Sequence, residues 1–289
     1  MKTTVIIPTL NRKFTVLKDA VDSLYKQRAN TEFSLVIVDQ NDAADPELSA
    51  YLKDLPGGVK HIRIAEKGLP NARNVGLQNA QESDIVIFCD DDVIISRNFI
   101  DNHLKNYSDE KTGAVAGRVF RKDKPPAKNI KKVGSFRHFD ANFTDNFDAC
   151  FRTEIDSLFG CNMSFRREVL EKAGGFDKRF GGTAHLEETD VSLRIKKLGY
   201  KLIFDPEAEL EHVYAGTGGC RMKNPEDWVY WYCHNYTLLF LRHFNRGFFG
   251  IFLAERIART LLFAIEYRSL SVLDRGIRGI IDGIMKGER

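Results

Sequence analysis

The sequence predicts an α/β fold in which helices cover both faces of a mostly parallel sheet. Three observations support this prediction: strand and helix patterns alternate through the first hundred residues, the connections between them are short, and the strands are continuous apolar runs. Continuous apolar strands are typical of sheets that are buried on both faces, and parallel neighbours require helical crossovers.

The first hundred residues contain four predicted strands and three predicted helices. A β-branched run at 4–7 ends at Pro8, and a second apolar run at 33–38 is followed by Asp39. Further strands are predicted at 59–65 and 85–89. Between consecutive strands, apolar side chains recur at helical spacing. They predict helices over 16–25, around 48–52 and over 69–80. Ligands of such sheets bind beyond the carboxyl ends of the strands, so polar residues directly after strands are the first candidates for a site.

The second half of the chain is less regular. Strands are predicted at 114–120, 159–165 and 201–204, with helices at 167–173 and 189–198. The stretch 121–132 is basic and contains Pro125 and Pro126, which indicates an exposed loop. From about residue 225 the chain is aromatic, basic and helical in pattern.

Composition limits the classes of function. With 43% hydrophobic and 29% charged residues the chain is typical of a folded globular protein, and a net charge of +3 is too small to indicate a nucleic-acid partner. The five cysteines show no CxxC spacing, so we expect a reducing compartment and neither a disulfide framework nor a zinc site. The first apolar run is too short for a signal peptide, and no apolar run reaches 18 residues; we therefore expect a cytoplasmic protein.

Three consecutive carboxylates, Asp90, Asp91 and Asp92, directly follow the predicted strand at 85–89. Like charges this close repel one another, and a divalent cation would offset the repulsion; oxygen ligands favour Mg²⁺ or Mn²⁺. In an extended segment, residues 90 and 92 point to the same side. The alternative is a solvated acidic turn, or an N-cap for a helix that begins near Arg97.

A second acidic group, Glu187, Glu188 and Asp190, lies at a predicted helix start. Carboxylates there are stabilised by the helix dipole, and Asp190 with Arg194 forms an ordinary i, i+4 pair. The functional interpretation is a general base for an acceptor hydroxyl.

His212 precedes a glycine-rich stretch, 215–221, that ends in Arg221. A lone histidine is usually structural, but backbone N–H groups and a guanidinium can together wrap a diphosphate. The stretch lacks the Gly-Lys-Ser/Thr of a Walker A loop, and the first strand lacks GxGxxG, which argues against a dinucleotide fold.

Six segments, taken in order, resemble the family 2 inverting glycosyltransferases, which have the GT-A fold. The similarity extends from about Thr3 to about Trp231 and rests on residues 5–12, 36–42, 68–76, 88–92, 160–167 and 187–194. The third segment is similar to the family's Gly-x-x-x-Ala-Arg-Asn-x-Gly sequence, the fourth to its DxD motif, and the sixth to the segment with the catalytic carboxylate. Glu187-Glu188 stands where many relatives have Glu-Asp.

The resemblance implies a Rossmann-like GT-A sheet and a single-addition transferase that uses a nucleotide-diphosphate sugar and a glycan or lipid-linked acceptor. It implies Mn²⁺ or Mg²⁺ on Asp92, with His212 as a further ligand. Glu188 matches the catalytic base, Asp190 is the second candidate, and Glu187 lies beside them. The implied nucleotide-binding residues are Pro8, Thr9, Asn11, Arg12, Asp39, Arg73, Asp90, Asp91 and Arg221.

Two other classes stay open at this stage. A nucleotidyltransferase would also use carboxylates and Mg²⁺, but Pro8-Thr9-Leu10-Asn11 stands where its glycine-rich fingerprint would be. A sugar-nucleotide-binding protein without activity would not need the acidic groups at both sites.

We expect a catalytic domain at 1–234, with a nucleotide-binding half at 1–92 and an acceptor half at 93–234, followed by an amphipathic helical extension at 235–289. The extension has nine Lys or Arg against five acids. It is either a helical pair packed on the catalytic domain or an interfacial surface that binds anionic lipid at the inner face of the cell membrane. The number of subunits stays open.

Overall fold

The computed structural model of the chain describes residues 1–29, 32–125 and 128–287; Pro126 of the basic loop and the last two residues of the C-terminal extension lie outside this range. In the described ranges the strands are β1 Thr3–Thr9, β2 Ser34–Asp39, β3 Val59–Arg63, β4 Ile85–Cys89, β5 Val93–Ile95, β6 Thr112–Phe120, β7 Ser135–Phe136, β8 Phe143–Thr144, β9 Thr153–Glu154, β10 Asn162–Arg166 and β11 Lys201–His212. The helices are α1 Phe14–Tyr25, α2 Pro46–Lys53, α3 Leu69–Gln78, α4 Phe99–Leu104, α5 Arg167–Lys172, α6 Glu187–Lys197, α7 Pro225–His243, α8 Phe249–Glu266 and α9 Leu270–Gly287.

The main sheet has the strand order β3-β2-β1-β4-β10-β6-β11-β5, and β9 pairs with β11. Strands β3, β2, β1 and β4 are parallel, as are β6 and β11. Strand β10 is antiparallel to both of its neighbours. The prediction of a mostly parallel sheet is confirmed.

Each face of the sheet has its own apolar core, so helices cover both faces as predicted. One core joins Val5, Ile7 and Ile87 to Leu17 and Leu24 of α1. The other core joins the alternate residues of the same strands to α3, α5 and α6; its members include Ile6, Phe88, Ala72, Leu170 and Ile195. Burial on both faces explains the continuous apolar runs in the sequence.

Helix α3 lies unusually close to β1 because of Gly76. A Cβ atom at this position would lie 2.3 Å from Cγ2 of Ile6. Any larger residue would push the helix off the sheet, and the start of α3 would move with it.

Strand β11 is longer than the predicted 201–204. It continues to His212 through a change of register between Asp205 and Leu210, and its second half pairs with β5 as well as β6. Pro206, which cannot donate to a ladder, lies in that irregularity and makes the sequence look like a strand end. The extra length delivers His212 to the carboxyl edge beside Asp90–Asp92.

The C-terminal helices α7, α8 and α9 pack on one another and on the catalytic part. Small residues of α9 allow close contact with α7: a Cβ atom on Gly279 would lie 2.2 Å from the Tyr230 carbonyl oxygen, and one on Gly283 would lie 2.8 Å from that of His234. Helix α7 runs without a break across residue 234, where we expected the extension to begin. None of the helices in the described part of the chain combines the length and hydropathy needed to span a membrane.

Candidate active site

The carboxyl ends of β1, β2 and β4 meet at one edge of the sheet and bring the predicted nucleotide-binding residues together. Thr9 and Asp39 are directly opposite each other at the ends of β1 and β2. The loop after β1 turns at Asn11, whose φ is 51°, and its N–H donates to the side chain of Asn41 at 2.6 Å. This left-handed conformation is one that asparagine tolerates better than most residues.

Asp39 is fully buried at the floor of this edge. Its carboxylate accepts a hydrogen bond from the Asn41 N–H at 2.8 Å and lies 3.2 Å from Nε2 of His61. Both oxygens of Asp39 therefore already have partners within the protein, and the carboxylate has little surface left for a ligand.

The three carboxylates after β4 have three different environments. Asp91 is buried and accepts hydrogen bonds from the Thr9 hydroxyl at 2.6 Å and from Nε of Arg12 at 2.8 Å. Burial raises the pKa of Asp91, although these two donors oppose the shift. Its contacts give Asp91 a structural role in fixing the loop after β1.

Asp92 is also buried but has cationic neighbours. One of its oxygens accepts from the Ala215 N–H at 3.0 Å and lies 3.2 Å from Nη2 of Arg12 and 3.3 Å from Nη2 of Arg221. Arg12 and Arg221 thus compensate two of the three negative charges of Asp90–Asp92.

Asp90 is the most accessible of the three, with about a third of its side chain exposed (32%). Burial would raise the pKa of Asp90, but the contacts with His212 and Arg73 outweigh it and hold the pKa below its usual range. The carboxylate is therefore ionised at neutral pH, and it is the place where uncompensated negative charge meets the cleft.

His212 faces these carboxylates. Its Nε2 lies 3.7 Å from an oxygen of Asp90 and 3.6 Å from an oxygen of Asp92. The Sγ atom of Cys161 joins this group, since ligand atoms of Asp90, Cys161 and His212 all lie within 4.8 Å of one another. The three side chains are close enough to share one ion, and their donor set fits a first-row divalent metal better than a purely oxygen-binding one.

Sequence reasoning missed Cys161 as a neighbour of Asp90. The antiparallel register of β10 and β4 pairs Asn162 with Cys89, so the next position along places Cys161 beside Asp90. No pattern in the sequence gives that register, because β4 and β10 are more than seventy residues apart.

The cleft next to Asp90–Asp92 has a volume of about 230 Å³. Its walls come from the loop after β1, from Asp90–Asp92, and from the segment after β11; they include Pro8, Leu10, Gln40, Leu69, His212, Tyr214, Gly219, Cys220 and Arg221. The glycine-rich segment is tied to the loop after β1, since the Gly219 N–H donates to the Leu10 carbonyl at 2.8 Å and Arg12 donates to that of Thr217. The structure therefore brings Pro8, Arg12, His212 and Arg221 to one cleft, as the sequence predicted.

Arg73 is placed differently from the other predicted nucleotide-binding residues. It is buried beneath Asp90, donates to the Gly160 carbonyl at 2.7 Å, and forms an ion pair with the buried Glu187. Its Nη2 lies 3.7 Å from Asp90. Arg73 does not line the cleft; it links Asp90 to the start of α6.

The acidic residues at the start of α6 have separate roles. Glu188 is partly buried, and in the described ranges no ion pair reaches its carboxylate. Burial raises its pKa to about 7; the Arg73 charge opposes the shift, while Asp90 and Asp145 add to it. A carboxyl group with a pKa near neutrality is suited to exchange a proton.

Asp190 is fully buried and has no room for a substrate. Its carboxylate binds Nη2 of Arg194 at 2.7 Å, Nε2 of His243 at 2.7 Å and Nη1 of Arg242 at 3.0 Å. Because two of these partners are on α7, Asp190 connects α6 to the C-terminal helices.

Comparison with known proteins agrees with this arrangement. The model of the family "Glycosyl transferase family 2" matches residues 4–174, more than half of the chain. The chain is 23% identical over 225 residues to the glucosyl-dolichyl phosphate glucuronosyltransferase of Haloferax volcanii, covering 73% of this chain and 69% of that protein. It is 26% identical over 254 residues to the O-antigen chain rhamnosyltransferase WbaN of Salmonella anatum, covering 85% and 71%.

Solved structures show the same fold. The mannosyltransferase PcManGT from Pyrobaculum calidifontis, in complex with GDP-Man and Mn²⁺, matches with a TM-score of 0.59 at 18% identity, over 99% of this chain and 87% of that one. The matched family region contains β1, β2, β4 and the carboxylates that follow them. The chain thus has the GT-A fold and belongs to glycosyl transferase family 2.

Proposed function

We propose that this glycosyltransferase moves one sugar from a nucleotide-diphosphate sugar to an acceptor hydroxyl by a single inverting displacement, with Glu188 as the base. The observation that supports this most is the state of Glu188, whose pKa is raised by burial, which has no cationic partner among the described residues, and which lies within electrostatic range of Asp90. The other carboxylates of α6 already have cationic partners: Glu187 pairs with the buried Arg73, and Asp190 pairs with Arg194.

We assign a separate role in the reaction to each group of residues at the cleft. The loop after β1 would receive the nucleoside, with Asp39 supporting that loop through Asn41. Arg221 would turn from Asp92 to the diphosphate as the donor enters. A divalent cation held by Asp90, Asp92 and His212 would supply positive charge to the departing diphosphate. Glu188 accepts the hydroxyl proton while the acceptor oxygen bonds to the anomeric carbon and the bond to the diphosphate oxygen breaks. Because one displacement is enough, no enzyme nucleophile is needed.

The charge count favours a cation at Asp90. When Arg73 and its second partner Glu187 are included, four carboxylates face three guanidinium groups, so one negative charge remains. Asp90 is the most exposed of these carboxylates. We infer that the ion is Mn²⁺ more readily than Mg²⁺, because His212 and the neighbouring Cys161 are softer donors than Mg²⁺ prefers. The Mn²⁺ bound in PcManGT supports this choice.

The acceptor is proposed to be a glycan or a lipid-linked sugar. The names of the two relatives, a glucosyl-dolichyl phosphate glucuronosyltransferase and an O-antigen chain rhamnosyltransferase, support this class. Thermal-shift screening of the protein against nucleotide-diphosphate sugars with and without Mn²⁺ would identify the donor. A donor should raise the melting temperature only with the metal, and release of nucleoside diphosphate from it would establish turnover.

We predict that Asp90→Asn and His212→Gln each remove most of the Mn²⁺-dependent affinity for nucleoside diphosphate without unfolding the protein. Asp90 is partly exposed, and its buried partner Arg73 keeps the ion pair with Glu187 after the substitution. Calorimetry with the nucleoside diphosphate and Mn²⁺ measures the effect. Asp54→Asn, the same chemical change at the exposed end of α2, is the matched control. Unchanged metal-dependent affinity in both site variants would exclude this ligand set.

We further propose that the C-terminal helices bind the surface of an anionic membrane. One face of α8 is exposed, has no charged residue and consists of Ile251, Ala254, Ile257, Ala258, Leu261, Leu262 and Ile265. Leu270 at the start of α9 is 84% exposed and continues this apolar face. Arg246 and Arg268 lie at the two ends of α8, and within the described ranges neither is in an ion pair. An apolar face flanked by free cations is typical of an interfacial helix.

Sedimentation with vesicles tests this proposal. The protein should co-sediment with phosphatidylglycerol vesicles at low salt, less with phosphatidylcholine vesicles, and less again at high salt, because each basic residue near an anionic surface contributes about 1 kcal/mol. Leu262→Glu with Ile265→Glu should abolish binding, and Leu198→Glu, at an exposed leucine elsewhere, should not. Truncation at residue 235 is a poor test because it would cut α7 inside the core. If the wild type ignores the vesicles and the glutamate pair instead converts a dimer to a monomer, the face is a subunit interface.

A further inference from the structure

A second cavity lies on the other side of Tyr214 from the cleft beside Asp90–Asp92. It has a volume of about 500 Å³ and is lined by the end of β6, by residues 145–148 and by Phe159. Tyr214 lines both spaces and therefore forms the wall between them. No role in the reaction described above uses this second cavity.

The walls of the second cavity combine aromatic rings with polar groups. Phe147 and Phe159 are stacked, with ring centroids 4.9 Å apart and planes 12° apart. Arg121, Asp145 and Asn146 add a guanidinium, a carboxylate and an amide at the rim. A sugar ring requires both kinds of surface, since its C–H faces lie on aromatic rings and its hydroxyls both donate and accept hydrogen bonds.

Charge argues for a neutral ligand. Arg118 pairs with Glu209 at 3.1 Å, and Nε of Arg121 donates to Asp123 at 2.8 Å. Lys124 is the third cation of the lining, and Asp145 and Asp148 of the same lining offset its charge. A phosphate site would require uncompensated cations, whereas a neutral polyhydroxylated ring does not.

Tyr214 is held in an unusual conformation at the border of the two spaces. Its φ of 52° is in the left-handed region, which is unfavourable for an aromatic residue and occurs mainly where function requires it. Its N–H donates to Nδ1 of His212 at 3.1 Å, and its ring lies 3.9 Å from the His212 ring. Arg121 lies over the ring at 4.4 Å, yet 43% of the residue remains exposed.

The second cavity is also close to the proposed base. Burial is the main cause of the raised pKa of Glu188, but the carboxylates of Asp90 and Asp145 raise it further. Asp145 of the second cavity and Asp90 of the donor cleft therefore both lie within electrostatic range of Glu188.

The geometry points to the second cavity as the subsite for the acceptor sugar, with Tyr214 as the platform for its ring and with Arg121 and Asp145 as hydrogen-bonding partners for its hydroxyls. The ligand class is a neutral glycoside. This inference rests on the proposed transferase function and adds the place and chemistry of acceptor recognition.

Binding of simple glycosides tests the subsite without knowledge of the natural acceptor. The probes are octyl glycosides of glucose, galactose, N-acetylglucosamine and rhamnose, observed by saturation-transfer NMR on the full chain with nucleoside diphosphate and Mn²⁺ present. At least one should bind the wild type. Arg121→Gln and Asp145→Asn should each weaken that binding about tenfold, as expected for hydrogen bonds to charged groups, and Tyr214→Ala should weaken it while Tyr214→Phe does not.

Matched controls separate this result from general damage. Arg137→Gln and Phe139→Ala alter another arginine and another exposed aromatic, which also contact each other, away from the second cavity. These controls should leave glycoside binding unchanged. The Arg121 and Asp145 variants, which lie outside the donor cleft, should retain the nucleotide-dependent rise in melting temperature. A wild type that fails to bind nucleotide would therefore contradict the proposed function and not the subsite.

Three outcomes would overturn the subsite: no glycoside binds the wild type while nucleotide is bound, the subsite variants bind as the controls do, or the 1-phosphates of the same sugars displace the glycosides and bind more tightly. The last outcome would assign the second cavity to an anionic ligand.

Discussion

Replacement of Glu188 by glutamine should reduce sugar transfer by roughly 10²–10⁴-fold, the usual contribution of a general base. The amide keeps the shape of the side chain but cannot accept the hydroxyl proton. Affinity for nucleoside diphosphate and Mn²⁺ should hardly change, because Glu188 does not line the cleft beside Asp90–Asp92 and in the described ranges pairs with no cation. Transfer kinetics and calorimetry on the same preparation measure both quantities.

The pH dependence of the transfer rate is an independent test of Glu188. Burial raises the pKa of Glu188 to about 7, and a base acts only when it is ionised. The rate should therefore rise with pH up to about 7 and level off above it, and the residual activity of Glu188→Gln should lack this rise. A wild-type rate that is flat from pH 5 to 8, or nearly full activity of the glutamine variant, would remove Glu188 from the base role.

Asp190→Asn should destabilise the protein by about 3–5 kcal/mol, the usual cost of leaving buried charges without their partner. The carboxylate is fully buried and receives Arg194, Arg242 and His243. Its loss leaves Arg194 and His243 without their carboxylate between α6 and α7, while Arg242 keeps its ion pair with Asp177. Denaturant unfolding should show the loss in stability, and proteolysis should cut α7 to α9 more readily.

Asp156→Asn is the matched control for the Asp190 prediction. Asp156 pairs with Lys196 of α6, the helix that also contains Asp190. Both side chains of this pair are about 30% exposed, and such a pair contributes about 0–1 kcal/mol to the free energy of unfolding. Equal losses of stability in Asp190→Asn and Asp156→Asn would show that the ion pairs of Asp190 stabilise the protein no more than an exposed ion pair does. Loss of transfer in Asp190→Asn at a temperature where it is still folded would reopen its candidacy as the base.

The parts of the fold that the sequence predicts are those with local signals. Continuous apolar runs locate β1, β2 and β4, and the residues that follow them, Asp39 and Asp90–Asp92, mark the edge where the cleft forms. The second half of β11 escapes prediction because Pro206 ends the apparent strand, although the chain resumes pairing after the irregularity. Register between distant strands leaves no local signal, and for that reason Cys161 beside Asp90 was not foreseen.

The roles of the acidic residues on α6 also depend on contacts with distant parts of the chain, which leave no local signal in the sequence. Positions 188 and 190 are two residues apart and so point to nearly opposite faces of the helix, which indicates that one of them cannot share the environment of the other. Which face meets the cleft and which meets a neighbour depends on α7, whose His243 and Arg242 come more than fifty residues later. The sequence therefore predicts a pair of candidates, and the packing separates them.

Arg73 shows a further difference between motif and geometry. The segment 68–76 was expected to place this arginine on the nucleoside, whereas the structure buries it between Asp90 and Glu187. It acts on the cleft through Asp90, whose pKa it helps to lower. A motif indicates that a residue belongs to the site but not which of its neighbours it contacts.

The anomeric configuration of the sugar released from the donor shows directly whether transfer occurs by a single displacement with Glu188 as the base. Water can take the place of the acceptor, so hydrolysis of the donor found by thermal shift, followed by proton NMR in real time, reports the configuration before the sugar equilibrates. We expect the first sugar to appear with the anomeric configuration opposite to that of the donor, and we expect its release to slow sharply in Glu188→Gln. Release of a sugar with the donor's own configuration would contradict a single displacement with Glu188 as the base.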